Sequence, residues 1–79
     1  MSRVKYIRTK ENQIIVFSES IQHSEFRNLN PISAGFISFG IDKDRNPDCT
    51  CYGDSFSLKL KSMEDDTRLA KMQILGIFD

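Results

Sequence analysis

Along the first third of the chain, apolar and β-branched residues come in short bursts separated by polar turns, a pattern of strands rather than helices. Val4-Lys5-Tyr6-Ile7-Arg8 is one burst, Glu11-Asn12 is a polar break, and Gln13-Ile14-Ile15-Val16-Phe17 is a second burst. Together they predict a β-hairpin. The second segment is apolar at four successive positions, so it is expected to be the central strand, covered on both faces. From Ser18 to Pro31 no period holds, and Ser20, Ser24, Asn28, Asn30 and Pro31 favour turns or one helical turn around Ser24-Glu25-Phe26-Arg27. Phe26 and Leu29 are expected to pin this loop to the core.

From Ile32 to Ile41 the alternation places Ile37, Phe39 and Ile41 on one strand face and Ala34 and Phe36 on the other, with Gly35 and Gly40 marking a bulge or a close backbone approach. Asp42 to Asp48 is a charged connection, Cys49 to Tyr52 a short return strand, and Gly53-Asp54 a turn pair. Ser55-Phe56-Ser57-Leu58-Lys59-Leu60 alternates cleanly and predicts a strand with Phe56, Leu58 and Leu60 towards the core. The period then changes. Ser62 is the expected N-cap, with Asp65 completing a capping-box variant and Glu64, Asp65 and Asp66 at the positive end of the helix dipole. The predicted helix runs from Met63 to Leu75, with Met63, Thr67, Ala70, Ile74 and Ile77 inward, Arg68, Lys71 and Gln73 towards solvent, and Gly76 as a left-handed ending followed by Ile77-Phe78. The fold expected is α+β: a small antiparallel sheet of four to five strands with one C-terminal helix packed on one face, forming a single domain over residues 1–79.

Composition narrows what such a domain does. At 79 residues the core is thin, and 39% hydrophobic against 28% charged residues is a globular balance. Eleven Lys plus Arg offset eleven Asp plus Glu, so no global field draws the chain to nucleic acid or an anionic membrane. No apolar run approaches a membrane span, and the basic N-terminus lacks the apolar stretch of a secretory signal. Cys49 and Cys51, two apart on one strand face, are poorly placed for a disulfide and fit a reduced, cytoplasmic setting.

The candidate motifs are incomplete. Asp42, Asp44 and Asn46 resemble the first three ligands of an EF-hand loop, but Pro47 stands where glycine is required and Gly53 where the bidentate glutamate is required. A hairpin turn accounts for the same residues. Tyr52-Gly53-Asp54-Ser55-Phe56-Ser57 resembles the nucleophile block of the GDSL esterases and lipases, which implies Ser55 as nucleophile with an Asp-and-His pair near the C-terminus. No histidine follows Ser55, and a serine without its base is not activated. Cys49, Cys51 and His23 fall one ligand short of a tetrahedral zinc site, and the spacing of the cysteines is too tight. No catalytic residue, metal ligand or cofactor is therefore expected, and the chain is expected not to be an enzyme.

Two function classes lead, with a metal-binding or hydrolytic protein as a second alternative behind them. By elimination, the chain is expected to be a small binding protein, a protein-protein interaction module, inhibitor or modulator, in keeping with small phage or mobile-element proteins. The apolar tail Ile74-Leu75-Gly76-Ile77-Phe78 leaves two readings open, a homodimer that buries it or packing within the chain. The alternative is a nucleic-acid binder using the basic N-terminal strand: Arg3, Lys5, Arg8 and Lys10, with Tyr6 as an aromatic platform. Lys59, Lys61, Arg68 and Lys71 form a second basic cluster, which would merge with the first if the first and last strands were neighbours.

Overall fold

The structure, a computed structural model, describes residues 3–77. Its elements are β1 (Val4–Thr9), β2 (Ile14–Ser18), a 3-10 segment (His23–Leu29), β3 (Pro31–Ile41), β4 (Pro47–Tyr52), β5 (Asp54–Ser55), β6 (Leu60–Lys61) and α1 (Asp66–Ile74). The first four strands form one antiparallel sheet in the order β2-β1-β3-β4, and β5 pairs with β6 in a separate small sheet. The expected α+β architecture is the one observed.

The sheet carries a core on each face. Register places Ile7, Phe17 and Ala34 on one face, where Phe26 of the 3-10 segment and Leu58 and Leu60 of the β5–β6 unit pack over them. Tyr6, Ile14, Ile37 and Cys49 occupy the other face, against Ala70, Leu69 and Leu75. Two sides of one sheet therefore draw on alternate residues of the same strands. This explains the unbroken apolar run of β2: Ile14 faces the helix and Phe17 faces the 3-10 segment. The run does not make β2 central, however. β2 is an edge strand, and β1 and β3 hold the centre.

Three further expectations are corrected. The segment 56–59 is a turn, not a strand, so Leu58 and Leu60 reach the core while Phe56 is 97% exposed. The helix starts at Asp66 rather than Met63, and Ser62 does not cap it; the Ser62 N–H donates to the Gly53 carbonyl at 2.9 Å instead. Ile74 is half-exposed, because the helix turns Asp66, Ala70 and Leu69 inward. At the other end the helix stops as expected: Gly76 has φ +69°, and the Ile77 N–H donates to the Lys71 carbonyl at 3.1 Å. Met1, Ser2, Phe78 and Asp79 lie outside the described residues, so the part of Phe78 in the expected tail does too. Among the described residues, no helix is long and apolar enough to cross a membrane.

Of the two strand glycines, Gly35 has the close approach and Gly40 does not. A Cβ on Gly35 would overlap the Tyr52 carbonyl oxygen, whereas at Gly40 it would meet nothing.

Candidate interaction surface

The expected basic cluster does not form one surface, because alternate residues of β1 leave the sheet in opposite directions. Tyr6 and Arg8 turn under the helix and are buried. There the Tyr6 hydroxyl donates to Asp66 Oδ2, while Arg8 Nη1 donates to Asp66 Oδ1 at 3.0 Å and to Asp65 Oδ1 at 2.7 Å. The Met63 N–H supplies Asp66 Oδ2 at 2.9 Å, and Asn12 Oδ1 accepts from Arg8 Nε and Nη2 at 3.1 and 2.9 Å. Asp66 is fully buried, yet both its oxygens are satisfied. Burial, reinforced by the Asp66 carboxylate, pushes the Tyr6 phenol far above its ordinary value, so it remains a proton donor. The Arg8 guanidinium holds the Asp65 carboxyl below its usual range. This constellation is a structural clamp that commits Tyr6, Arg8 and Asp66 to partners within the fold. It also sets the helix start, since Asp65 and Asp66 are drawn down to β1 and the residues before them form a turn.

Arg3, just before β1, and Lys5 of β1 lie on the opposite face. Arg3 Cζ sits 4.1 Å above the Phe36 ring and its Nε lies 3.9 Å from Glu19, while Lys5 Nζ donates to the Ile21 carbonyl at 2.9 Å. Lys10 stands exposed in the β1–β2 turn. The last strand pairs with β5, not β1, so the two basic clusters do not merge as a two-strand groove. Lys59 and Lys61 nevertheless belong to the β5–β6 unit that covers this same face.

What the structure does assemble here is an aromatic surface that the pattern of the sequence concealed. Phe36 stacks on Tyr52 with ring centroids 5.9 Å apart and lines a shallow depression of about 280 Å³ together with Lys5, His23, Asp54 and Phe56. On its other side Phe56 borders a second depression, of about 410 Å³, with Asp54, Lys59, Leu60 and Lys61. Phe56 is thus a ridge between two hollows. Its place in an alternating Phe-Leu-Leu pattern disguised it as core; the signal against that reading is its position between Ser55 and Ser57, both turn-favouring residues.

The turn that presents Phe56 is pinned. Ser55 is buried and its Oγ accepts the Leu58 N–H at 3.2 Å, the Lys59 N–H donates to the Phe56 carbonyl at 3.3 Å, and Arg27 Nη2 donates to the Ser57 carbonyl at 3.0 Å. Lys59 takes a left-handed conformation, φ +57°, to close it. Ser55, the serine of the esterase-like block, is spent on this turn.

The other candidate residues have structural places. Asp42 Oδ1 accepts the N–H groups of Asp44 and Asn46 at 2.8 and 2.9 Å, closing the β3–β4 hairpin turn. Cys49 and Cys51 share the helix-covered face, and burial pushes both thiols up, Cys51 to about 12. His23 lies across the sheet from them: its ring meets Phe17 and Phe36 edge-on, and its Nε2 donates to the Gly35 carbonyl at 2.9 Å. Burial lowers its pKa. A groove of about 450 Å³ runs between the β3–β4 turn and the outer side of α1, lined by both charge signs, among them Asp48 and Lys71, paired at 3.1 Å.

Comparison with protein-family models, curated proteins and solved structures finds no match to this chain.

Proposed function

We propose that this chain is a non-enzymatic binding module that docks on another protein through the face carrying Phe36, Tyr52 and Phe56. The observation that carries the reading is Phe56, 97% exposed on a turn that three hydrogen bonds hold in place. Burying such a side chain would contribute about 1.5–3 kcal/mol to folding, and the left-handed residue at Lys59 costs roughly 1–2 kcal/mol more. A thin-cored domain that forgoes the first and bears the second keeps an aromatic anchor ready for a partner. Rigid aromatic anchors of this kind carry most of the energy in protein interfaces. The ring is not an isolated surface apolar residue, since it shares a hollow with Phe36, which stacks on Tyr52.

One observation favours the nucleic-acid reading: Arg3 and Lys5 stand on this aromatic face. A photo-crosslinking residue placed at position 56, compared with the same residue at exposed position 64 in the lining of the helix-side groove, tests both readings in the native host. The expected result is a discrete protein adduct at position 56 that is absent at position 64. Equal adducts at both positions, or a nucleic-acid adduct at position 56 in place of protein, would contradict the proposal.

A further inference from the structure

We infer that the surface received by this face is acidic around an apolar socket; this rests on the protein-binding reading above and specifies the partner's chemistry. The chain as a whole has no net charge, yet the two hollows flanking Phe56 hold Lys5, Lys59 and Lys61 against the single carboxylate of Asp54. Arg27 and Arg3 stand beside them, the first against the Ser57 carbonyl and the second over Phe36. Cations outnumber carboxylates on this face: Lys5, Lys59, Lys61, Arg27 and Arg3 stand against Asp54 and against Glu19, which lies 3.9 Å from Arg3. Cations around an apolar projection are met by acidic groups around an apolar recess, an arrangement that speeds encounter and fixes orientation.

A polypeptide suits this face better than a nucleic-acid strand. Phe56 projects as a knob, whereas base stacking uses a ring laid flat on a supporting surface. The half-buried Phe36 ring already carries Arg3 at 4.1 Å and is stacked with Tyr52. Asp54 borders both hollows, so a phosphate chain following the lysines would pass a carboxylate, while a polypeptide can offer it an N–H or hydroxyl donor.

Isotope-labelled protein titrated with a twelve-residue peptide of alternating glutamate and leucine tests this, beside the lysine-leucine counterpart, oligothymidylate and vesicles containing phosphatidylserine. The acidic peptide is expected to shift resonances of residues 54–61 and of Phe36 and Tyr52, to bind more weakly as salt rises, and to lose at least about tenfold in affinity in Lys59→Glu/Lys61→Glu. If that double variant fails to fold, Lys61→Gln carries the same test with a smaller loss. Absence of binding, equal binding of the lysine peptide, or tighter binding of oligothymidylate or vesicles at the same resonances overturns the inference. A protein adduct at position 56 that survives Lys61→Glu and high salt would leave the protein-binding reading standing and remove only its acidic specificity; loss of the adduct in the unaltered chain removes the reading itself.

Discussion

Tyr6 and Arg8 show how a residue's company decides its role. As letters in a basic, β-forming burst they were candidates for phosphate and base contact, and nothing in that burst announces Asp65 and Asp66, some sixty positions away, as their partners. A buried carboxylate satisfied by a phenol, a guanidinium and a backbone N–H is costly to disturb, because removing one donor leaves the charge under-solvated. Tyr6→Phe is expected to lower stability by about 1.5–3 kcal/mol in a urea titration, and a loss below about 0.5 kcal/mol would mean that the hydroxyl is dispensable. His23 gives a second test. Its pKa is lowered in the fold by burial and by nearby Lys5, with Asp54 and the Gly35 carbonyl opposing, so below the ordinary value of about 6.5 the unfolded chain binds a proton that the fold refuses. Stability is then expected to fall as pH drops from about 6.5 towards the folded-state value, and His23→Gln is expected to flatten that slope. Urea midpoints from pH 7.5 down to pH 5 measure it; a slope unchanged by the substitution would place the titrating group elsewhere. The carboxylate of Asp65, held low by Arg8, behaves in the same direction but at lower pH, its contribution being lost as pH falls through its own folded value.

At the scale of elements, the hairpins, the C-terminal helix and its glycine ending were legible because each is written in local chemistry: a polar break, a change of period, a residue with φ above zero. Strand order was not. The apolar run of β2 reports two covered faces, and a strand can have both while standing at an edge. The helix manages both edges. The Ile14 N–H of β2 donates to Gln73 Oε1 at 2.8 Å and the Cys51 N–H of β4 donates to Thr67 Oγ1 at 2.9 Å, while Pro47 has no N–H to offer. Gln73, a solvent candidate by pattern, is thus a clamp. The Phe56-Leu58-Leu60 alternation misled because a turn carrying two of three residues inward mimics a strand over so few positions. Leu58→Ala is accordingly expected to cost about 2 kcal/mol, whereas Ile74→Ala is expected to cost less than about 1 kcal/mol, since half-exposed Ile74 leaves little cavity. Comparable losses in the two variants would return Ile74 to the core. Gly35→Ala is expected to destabilise by about 1–3 kcal/mol, because the added methyl meets the Tyr52 carbonyl inside a paired strand. A neutral outcome in the same denaturation assay would mean that β4 yields there.

For the whole molecule, the two sides of the sheet have different work. The helix side is tied down by the Tyr6–Asp66–Arg8 clamp and by hydrogen bonds at both edges. The opposite side leaves its β5–β6 unit projecting an aromatic ridge in a cationic setting. The sequence carried the lysines and the phenylalanines of that surface in plain view, but not their grouping, which depends on Arg3 and Lys5 lying on one face of the sheet and Tyr6 and Arg8 on the other. If that ridge exists for binding, its removal should separate the two properties that a core residue would join. The most direct measurement is therefore made on Phe56→Ala, comparing its urea midpoint and its affinity for the protein that crosslinks at position 56 with those of the unaltered chain. Stability within about 0.5 kcal/mol of the original and affinity weakened by at least about tenfold are expected. Unchanged affinity, or a stability loss above about 1.5 kcal/mol, would contradict a binding role for the ridge, the first by showing that the ring is idle and the second by showing that it is packed.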